Sequence, residues 1–531
     1  MLENKLYRSY FLFVLGLLAV GMSCSKFLIS ISVIGLGLGS VFIMAQKSFE
    51  WKQLKGFGLL LIVLYAMHLL WLLNSENIAY AFNDFRRKLP LLVLPIAFMV
   101  HRPLVKKHLN TILQLFAATS IVCAIILLVR WFGLDYKNKD FRSFSEFISH
   151  IRFSICLVIT TLILINNSIR TKKYVVNSIL FIPVLFSLIV MQSLSGFFLL
   201  SAIIPLFLFW KKWIPKKIVI AYFASAPLLL IAAVTYHFQA KDSVPTHLPS
   251  HTALGIPYEH FPDNTLCENN HRVYLYLAVD EMNEAWNERT GTLATDKLPS
   301  GYMYVDAMIR YLTSKNLPKD AEGIAALTDK DIENIKKGYT NHRQGKISAI
   351  EKRWNALRFE LDSYQNGYDI AGHSITMRLE YFDVAYACFK ENKWFGVGTG
   401  DVKASIAAEH QSREILPEMY QKRAHNQLLT YLMTFGIVGF IIILYIVIIY
   451  AFGISTLDPL GKSIITLLFF SLFWEDVMET QAGVTAFAFF YAFLFASPSN
   501  DNTSRYTASI PSTIFIWLKS LALSKADSDN A

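Results

Sequence analysis

Runs of apolar residues long enough to cross a hydrocarbon core of about 30 Å recur along both ends of this chain. They lie at residues 9–24, 27–45, 57–74, 88–101, 109–130, 152–167, 174–191, 194–210, 217–236, 427–452, 460–474 and 482–497, the fourth and eleventh being short. Inside a bilayer every backbone N–H and C=O must be bonded within the structure, so such runs predict helices. Charged residues make up only 17% of the chain, against roughly 25% in a soluble domain, which agrees with a membrane protein. The expectation is an all-α integral membrane protein with about twelve transmembrane helices. The intervening polar block is too long and too rich in helix signals to be a connector, and reads as a large, mainly helical domain. The predicted organisation is nine spans over 1–236, this loop domain over 237–426, three spans over 427–497, and a tail, 498–531, whose piece "IFIWLKSLAL" can lie on a membrane. The first span follows Lys5 and Arg8 as a signal peptide would. No convincing cleavage site follows it, so it is expected to remain as a helix.

Lys and Arg accumulate in cytoplasmic loops. With the N-terminus inside, four successive cytoplasmic connectors hold Lys47, Lys52 and Lys55; Arg102, Lys106 and Lys107; Arg170, Lys172 and Lys173; and Lys211, Lys212, Lys216 and Lys217. An even number of spans then puts both termini in the cytoplasm and the 237–426 block outside, which in a bacterium is the periplasm. The net charge of +10 thus partly reports topology, and nucleic acid is not an expected partner. Cys24, Cys123 and Cys156 lie in or beside apolar spans. Cys267 and Cys388 fall in the external block, where an oxidising compartment permits a bridge without requiring one. No metal-ligand spacing such as C-x-x-C or H-E-x-x-H occurs, and no internal repeat is visible.

Outer loops should be poor in basic residues, so exceptions there are candidates for a site. "NDFRRKLPLL" places Arg86, Arg87 and Lys88 at the outer start of the fourth span, and "SHIRFSICL" places His150 and Arg152 at the outer start of the sixth. Either group can hold an anion, or can simply snorkel into headgroups. A third basic residue, Arg378, leads "RLEYFDVAYACFKENKWFGVGTG". There Leu379, Phe382, Tyr386 and Phe389 recur at helical spacing, Ser374 or Thr376 can cap the start, and Gly396 to Gly400 stop the helix. Arg378 then sits in the first turn, where free N–H groups and the helix dipole favour an anion; pairing with Glu380 or Asp383 is the plainer alternative. The "GVGTG" run lacks the preceding strand and following Lys-Ser or Lys-Thr of a nucleotide loop, so it reads as a helix stop and tight turn.

Where the polar block returns to apolar sequence, "HNQLLTYLMTFGIVG" fits H-N-x9-G-x-x-G, with His425, Asn426, Gly436 and Gly439. This resembles the signature of the bacterial O-antigen ligase family. The likeness extends to the arginine-led segment, to "FWEDVMETQAG", and to the layout of twelve spans with a large external loop before the tenth. It implies a helical membrane glycosyltransferase of C-type-like architecture in the inner membrane, active at the periplasmic face. The implied reaction is metal- and nucleotide-independent, inverting transfer of a glycan from undecaprenyl pyrophosphate to an acceptor hydroxyl, which for the ligases proper belongs to the lipid A core. Polysaccharide polymerases and protein O-oligosaccharyltransferases share much of the pattern.

The residues themselves fit that chemistry. A leaving diphosphate needs positive charge, which Arg378, Arg152 and the Arg86 to Lys88 group can supply, and no cofactor is called for. The acceptor needs a base, and a histidine at an external membrane boundary serves near neutral pH. Alone, His425 reads equally as an interfacial histidine capping a helix. Asn426 can orient the imidazole or bind a sugar hydroxyl. Gly436 and Gly439 lie about 16 Å or more up the helix, too far for catalysis, and suit close helix packing. Glu475, Asp476, Glu479 and Gln481, in the last outer loop, can bind acceptor or pair with the external arginines, ion pairing being the commoner use. In the external block "RVYLYLAVDEMNEAW" and "ISAIEKRWNALRFELDSY" read as amphipathic helices, Thr328 as a helix start with acids in its first turn, and Trp286 and Trp354 as packing residues before sugar platforms. An anion transporter, from a different class, would show charges at mid-membrane on broken helices; here the candidates lie at one face.

Overall fold

The computed structural model describes residues 4–46, 54, 56–133, 144–145, 147–239, 245, 247–298, 303–344, 349–367, 370–373 and 375–496. Lys47, Lys52, Lys55, Ser374 and the tail with its amphipathic piece lie outside the described residues. The described chain is almost entirely helical, and a helix occupies each of the twelve apolar segments. Five of them, Lys5–Cys24, Lys26–Met44, Arg102–Gly133, His150–Thr171 and Gln427–Thr456, are long and apolar enough to cross a membrane among the described residues. Internal contacts group the chain into two compact units. One comprises residues 1–219, 381–412 and 422–531, the other 220–380 and 413–421, so part of the polar block packs with the apolar helices.

In the first unit, capping side chains mark the helix starts. Asn4, Ser193, Asp458 and Thr480 each accept a backbone N–H from the first turn of the helix that follows. Ser25 ends one helix and begins the next, its N–H donating to the Gly21 carbonyl and its hydroxyl accepting from Leu28. The helix Gln481–Phe495 is buried on every face, with Phe489 and Phe493 edge-on to Phe98 and Phe490 edge-on to Phe116. An all-apolar helix of this kind belongs at the centre of its unit. The helix Thr376–Glu391 follows the predicted span, but a different face is buried. From Tyr381 onward its small residues Val384, Ala385 and Cys388 pack on Val402, Ile406 and Met433, while Tyr386 stays exposed beneath Lys390. Small side chains allow the closer approach; of the stripe read from sequence, Phe382 and Phe389 flank this cluster half-buried, while Leu379 and Tyr386 stay exposed. Thr376 opens this helix rather than capping it, its hydroxyl buried without a partner among the described residues.

The second unit holds short helices around Trp286, Met308, Tyr311 and Leu312, which makes Trp286 a core residue. A two-residue hairpin pairs Cys267 with Arg272 and Glu268 with His271, and its turn residues Asn269 and Asn270 both take the positive φ that such a turn demands. Thr328 and Asp331 form a capping box at the helix Asp329–Lys336. "RVYLYLA" is not helical: after the hairpin strand it runs through a turn and a bend to a single bridge at Leu277, and the helix begins only at Val279. Val273, Leu275 and Leu277 are buried in alternation, a period of two that the sequence reading took for helical. Among the described residues no cysteine forms a disulfide.

The two glycine motifs of the first unit meet each other. Gly436 interrupts the helix Gln427–Gly453 with φ 62° and ψ −167°. The backbone freed there bonds to the 393–398 turn: Val397 and Gly398 N–H donate to Met433 and Thr434 O (2.9 and 3.0 Å), and Ile437 and Val438 N–H to Lys393 and Trp394 O (2.8 and 3.1 Å). A Cβ at Gly436 would fall on the Trp394 carbonyl, and one at Gly396 on the backbone of Met433 and Thr434. The turn is also held from its other side. Trp71 Nε1 donates to Phe395 O (2.7 Å), Asn74 Nδ2 to Gly396 O (2.9 Å), and Asp401 accepts from the N–H groups of Glu76 and Asn77 (2.8 and 2.9 Å). Gly436 therefore serves a helix break, correcting the helix-packing role expected for it; Gly439, a turn later, does lie against Trp71. Gly436→Ala should lower unfolding stability in detergent by about 2 kcal/mol or more through strain and clash. Gly133→Ala, which meets only open space, should stay within about 0.5 kcal/mol in the same thermal measurement.

Candidate active site

His425 precedes the helix Gln427–Gly453 with a left-handed backbone, φ 48°, uncommon for a residue with a Cβ. Two consecutive acids from the last loop hold it there. Asp476 Oδ2 accepts the His425 backbone N–H at 2.9 Å, and its Oδ1 accepts the Thr430 hydroxyl at 2.8 Å. Glu475 Oε2 lies 3.2 Å from His425 Nδ1. A carboxylate only accepts, so the contact puts the imidazole proton on Nδ1 and leaves the Nε2 lone pair available. The imidazole side chain is 32% exposed while Glu475 is 12% exposed, so the histidine faces solvent with its carboxylate behind it. The Tyr381 ring lies beside the imidazole, 5.7 Å between centroids. Asn426, expected to orient the imidazole or bind sugar, is instead the helix cap: its Oδ1 accepts from Leu429 N–H (3.0 Å) and its Nδ2 donates to Phe473 O (3.2 Å).

Beneath this pair lies a buried charge cluster centred on Glu479. It accepts from Lys88 Nζ (3.3 and 3.4 Å), from Gln427 Nε2 (3.1 Å) and from Arg423, which also reaches Tyr80. Lys88 is buried and also paired with Asp84 at 2.6 Å. Burial opposes ionisation of Glu479, but Lys88 and then Arg423 outweigh it and hold the carboxyl below the usual range. Asp476 moves the other way, burial and the Glu479 charge both pushing it up. The ion pairing expected of the acidic loop is present at Glu479, through Lys88 and the unforeseen Arg423.

The basic triplet is divided. Lys88 points inward and its ammonium is occupied by Asp84 and Glu479, so it is a structural charge, not the donor ligand it was read as. Arg86 and Arg87 are exposed, with Arg86 Nη2 donating to Asn83 at 3.3 Å. Arg152 is part-buried near the start of the helix His150–Thr171, within electrostatic reach of Glu475 and Asp476. Its Nε is buried without a hydrogen-bond partner among the described residues. Gln481 leaves the site altogether, its amide donating to Ser30 Oγ at 2.8 Å to join two apolar helices. Arg378 occupies the first turn of its helix, part-buried, in the second unit; nearby Glu380 pairs with Arg413 at 3.3 Å. Sequence reasoning missed Arg423, Gln427, Asp84 and Tyr80. Of these only Asp84, four residues before Lys88 on one helix, carried a local signal.

The O-antigen ligase family model matches residues 179–444, just over half of the chain. The chain belongs to the O-antigen ligase family. Membership makes it a glycosyltransferase-like enzyme of O-antigen ligase or polymerase type, and the apolar helices agree with a multi-pass membrane protein. The matched range takes in Arg378, His425, Asn426, Gly436 and Gly439, whereas Arg152 and the Glu475 to Glu479 loop lie outside it. No curated protein matches the chain.

Glu479→Gln should destabilise the protein by about 3 kcal/mol, since it leaves the buried Lys88 and the part-buried Arg423 under-compensated. A carboxylate with a depressed folded pKa contributes stability above its ordinary value of about 4.3 and loses it as pH falls through the folded value. The gap between wild type and variant should thus be full at neutral pH and narrow in acid. Unfolding in detergent at both conditions measures it.

Proposed function

We propose that the protein transfers a glycan from undecaprenyl pyrophosphate to an acceptor hydroxyl at the periplasmic face of the inner membrane, the acceptor being a sugar of the lipid A core. The observation that carries this reading is the contact of His425 Nδ1 with Glu475, which aims Nε2 outward as a base. His425 takes the proton from the acceptor hydroxyl while that oxygen attacks the anomeric carbon from the face opposite the leaving group. The bond from this carbon to the pyrophosphate oxygen breaks, and undecaprenyl pyrophosphate departs with the electron pair. Attack from the opposite face inverts the anomeric configuration. Glu475 stabilises the imidazolium as it forms, the division of labour seen in carboxylate–histidine pairs elsewhere.

Charge on the departing diphosphate is met by Arg152, whose unpartnered Nε supports an anion ligand, and by the exposed Arg86 and Arg87. For Arg378 the proposal rests on the helix start that it occupies and on its family motif. Family membership supports a polymerase as well, in which the growing lipid-linked glycan is the acceptor. The surface polysaccharide of a deletion strain separates the two: core without long chains and accumulated lipid-linked glycan for a ligase, single repeat units on the core for a polymerase.

In purified, reconstituted protein with defined donor and acceptor, His425→Ala should keep its fold and donor binding yet lose about 10²–10⁴-fold in transfer rate. Glu475→Gln should keep the donor KM and lower kcat. Near wild-type transfer by a folded His425→Ala protein would remove the histidine from the chemistry. Arg152→Lys and Arg378→Lys keep charge but lose the planar fork, so donor KM should rise in each; unchanged donor use in both would refute the arginine assignment.

A further inference from the structure

The second unit contains a cavity of 370 Å³ in which basic and aromatic side chains converge. Its lining includes Lys319, Arg272, His271, Tyr258, Tyr276 and Asn316, and no acidic side chain among the described residues, although the buried Asp320 behind it accepts the Tyr258 hydroxyl. The walls come from the hairpin strand and the bend after it, and from the end of the helix Tyr304–Ser314 with the segment that follows. The segment around Tyr276 is bonded on one side to Glu259 and on the other to Lys319, whose N–H donates to Tyr276 O at 2.9 Å. Lys319 is only 2% exposed, and its ammonium gives one hydrogen bond, to Leu275 O at 2.9 Å. Arg272 is anchored by Nη1 to the Pro262 and Asn264 carbonyls (3.1 and 2.7 Å), while its Nε is buried with no partner among the described residues. Tyr276 and Asn316 both hold left-handed backbones at φ 58°. Asn316 takes it just past the end of the helix Tyr304–Ser314, a common place for asparagine, whereas Tyr276 holds a bulky side chain in a sparsely populated conformation beside the cavity.

Desolvating a lysine is costly, and burial draws the Lys319 ammonium down to about 8 although Asp320 beside it opposes the change. The chain keeps this cation at a cavity when packing alone would be served by an apolar residue. Cationic donors in a hollow select an anionic group, and tyrosine rings at the same hollow offer faces for the C–H surface of a pyranose. The space exceeds what one monosaccharide needs, which leaves room for its glycosidic neighbours.

We propose that this cavity binds an acidic pyranose, a hexuronate unit of a glycan, with Lys319 and Arg272 on the carboxylate and Tyr258 and Tyr276 against the ring. This rests on the glycan-transfer reading above for its biological substrate, and makes that substrate an acidic polysaccharide. The binding itself is independent of catalysis. The test is calorimetry and saturation-transfer NMR on the full chain in detergent, with methyl glucuronide, methyl glucoside and inorganic phosphate as probes. The glucuronide should bind with a Kd of order 1 mM, about 10-fold tighter than the glucoside and without displacement by equimolar phosphate. Equal affinity for the glucoside, full displacement by phosphate, or no binding at about 10 mM glucuronide would each overturn the proposal. Lys319→Met should abolish the preference for glucuronide over glucoside. Because Lys319 also holds a carbonyl, Asn316→Gly, which keeps the left-handed turn, serves as the second variant and should weaken glucuronide several-fold. His425→Ala should bind the glucuronide as wild type does. Transfer can therefore fail with the cavity intact, and the cavity can fail with transfer of a neutral glycan intact.

Discussion

Glu479 is a carboxylate with almost no access to water, and it is satisfied because two stretches far apart in sequence, one ending at Lys88 and one running from Arg423 to Gln427, converge on it. Lys88 comes from the helix Ile78–Lys88, Arg423 from the segment leading to His425, and Gln427 from the helix that follows. Each donor fixes its own backbone relative to the last loop, and that loop carries Glu475 and Asp476. The position of the imidazole is thus a consequence of ion pairing one layer below it. A carboxylate of this kind gives little net stability over an apolar replacement of the whole cluster, but much specificity of arrangement.

The helix break at Gly436 supplies the second constraint. An uninterrupted helix has no spare carbonyls in its middle, and the break frees Met433 and Thr434 to receive the glycine turn. The turn is then clamped to Trp71 and Asn74, so the helix carrying Asn426 at its start is held at two levels. One level is polar side chains and the other is backbone. Neither depends on tight apolar packing, which lipid-facing helices lack as a driving force.

Much of the architecture was legible because the bilayer leaves so few options. Apolar runs had to be helices, and helices stand at all twelve segments. Local chemistry was legible too, as at Thr328 and Asp331. Of the candidate site, some members could be named from sequence but not how they pair. His425 and the acidic loop could be singled out by motif, whereas the pairing of His425 with Glu475 joins residues 50 apart, which no local pattern encodes. Lys88 looked like its neighbours Arg86 and Arg87 until burial separated them. "RVYLYLA" was misread because aromatic residues at alternate positions satisfy a helical and an extended period about equally over so short a stretch.

The charge cluster also sets an order of assembly. Lys88 and Glu479 are 391 residues apart, and Glu479 immediately precedes the helix buried at the centre of its unit. At about 5–20 residues per second, a ribosome needs roughly 20–80 s to pass from one to the other. Through that interval Lys88 has only Asp84 of its final partners, and Arg423, made 56 residues before Glu479, joins them near its end. The cluster therefore cannot reach its final set of ion pairs until the segment that carries Glu479 is made. The arrival of Glu479, rather than the insertion of any earlier helix, is the event that completes the charge cluster beneath the candidate site.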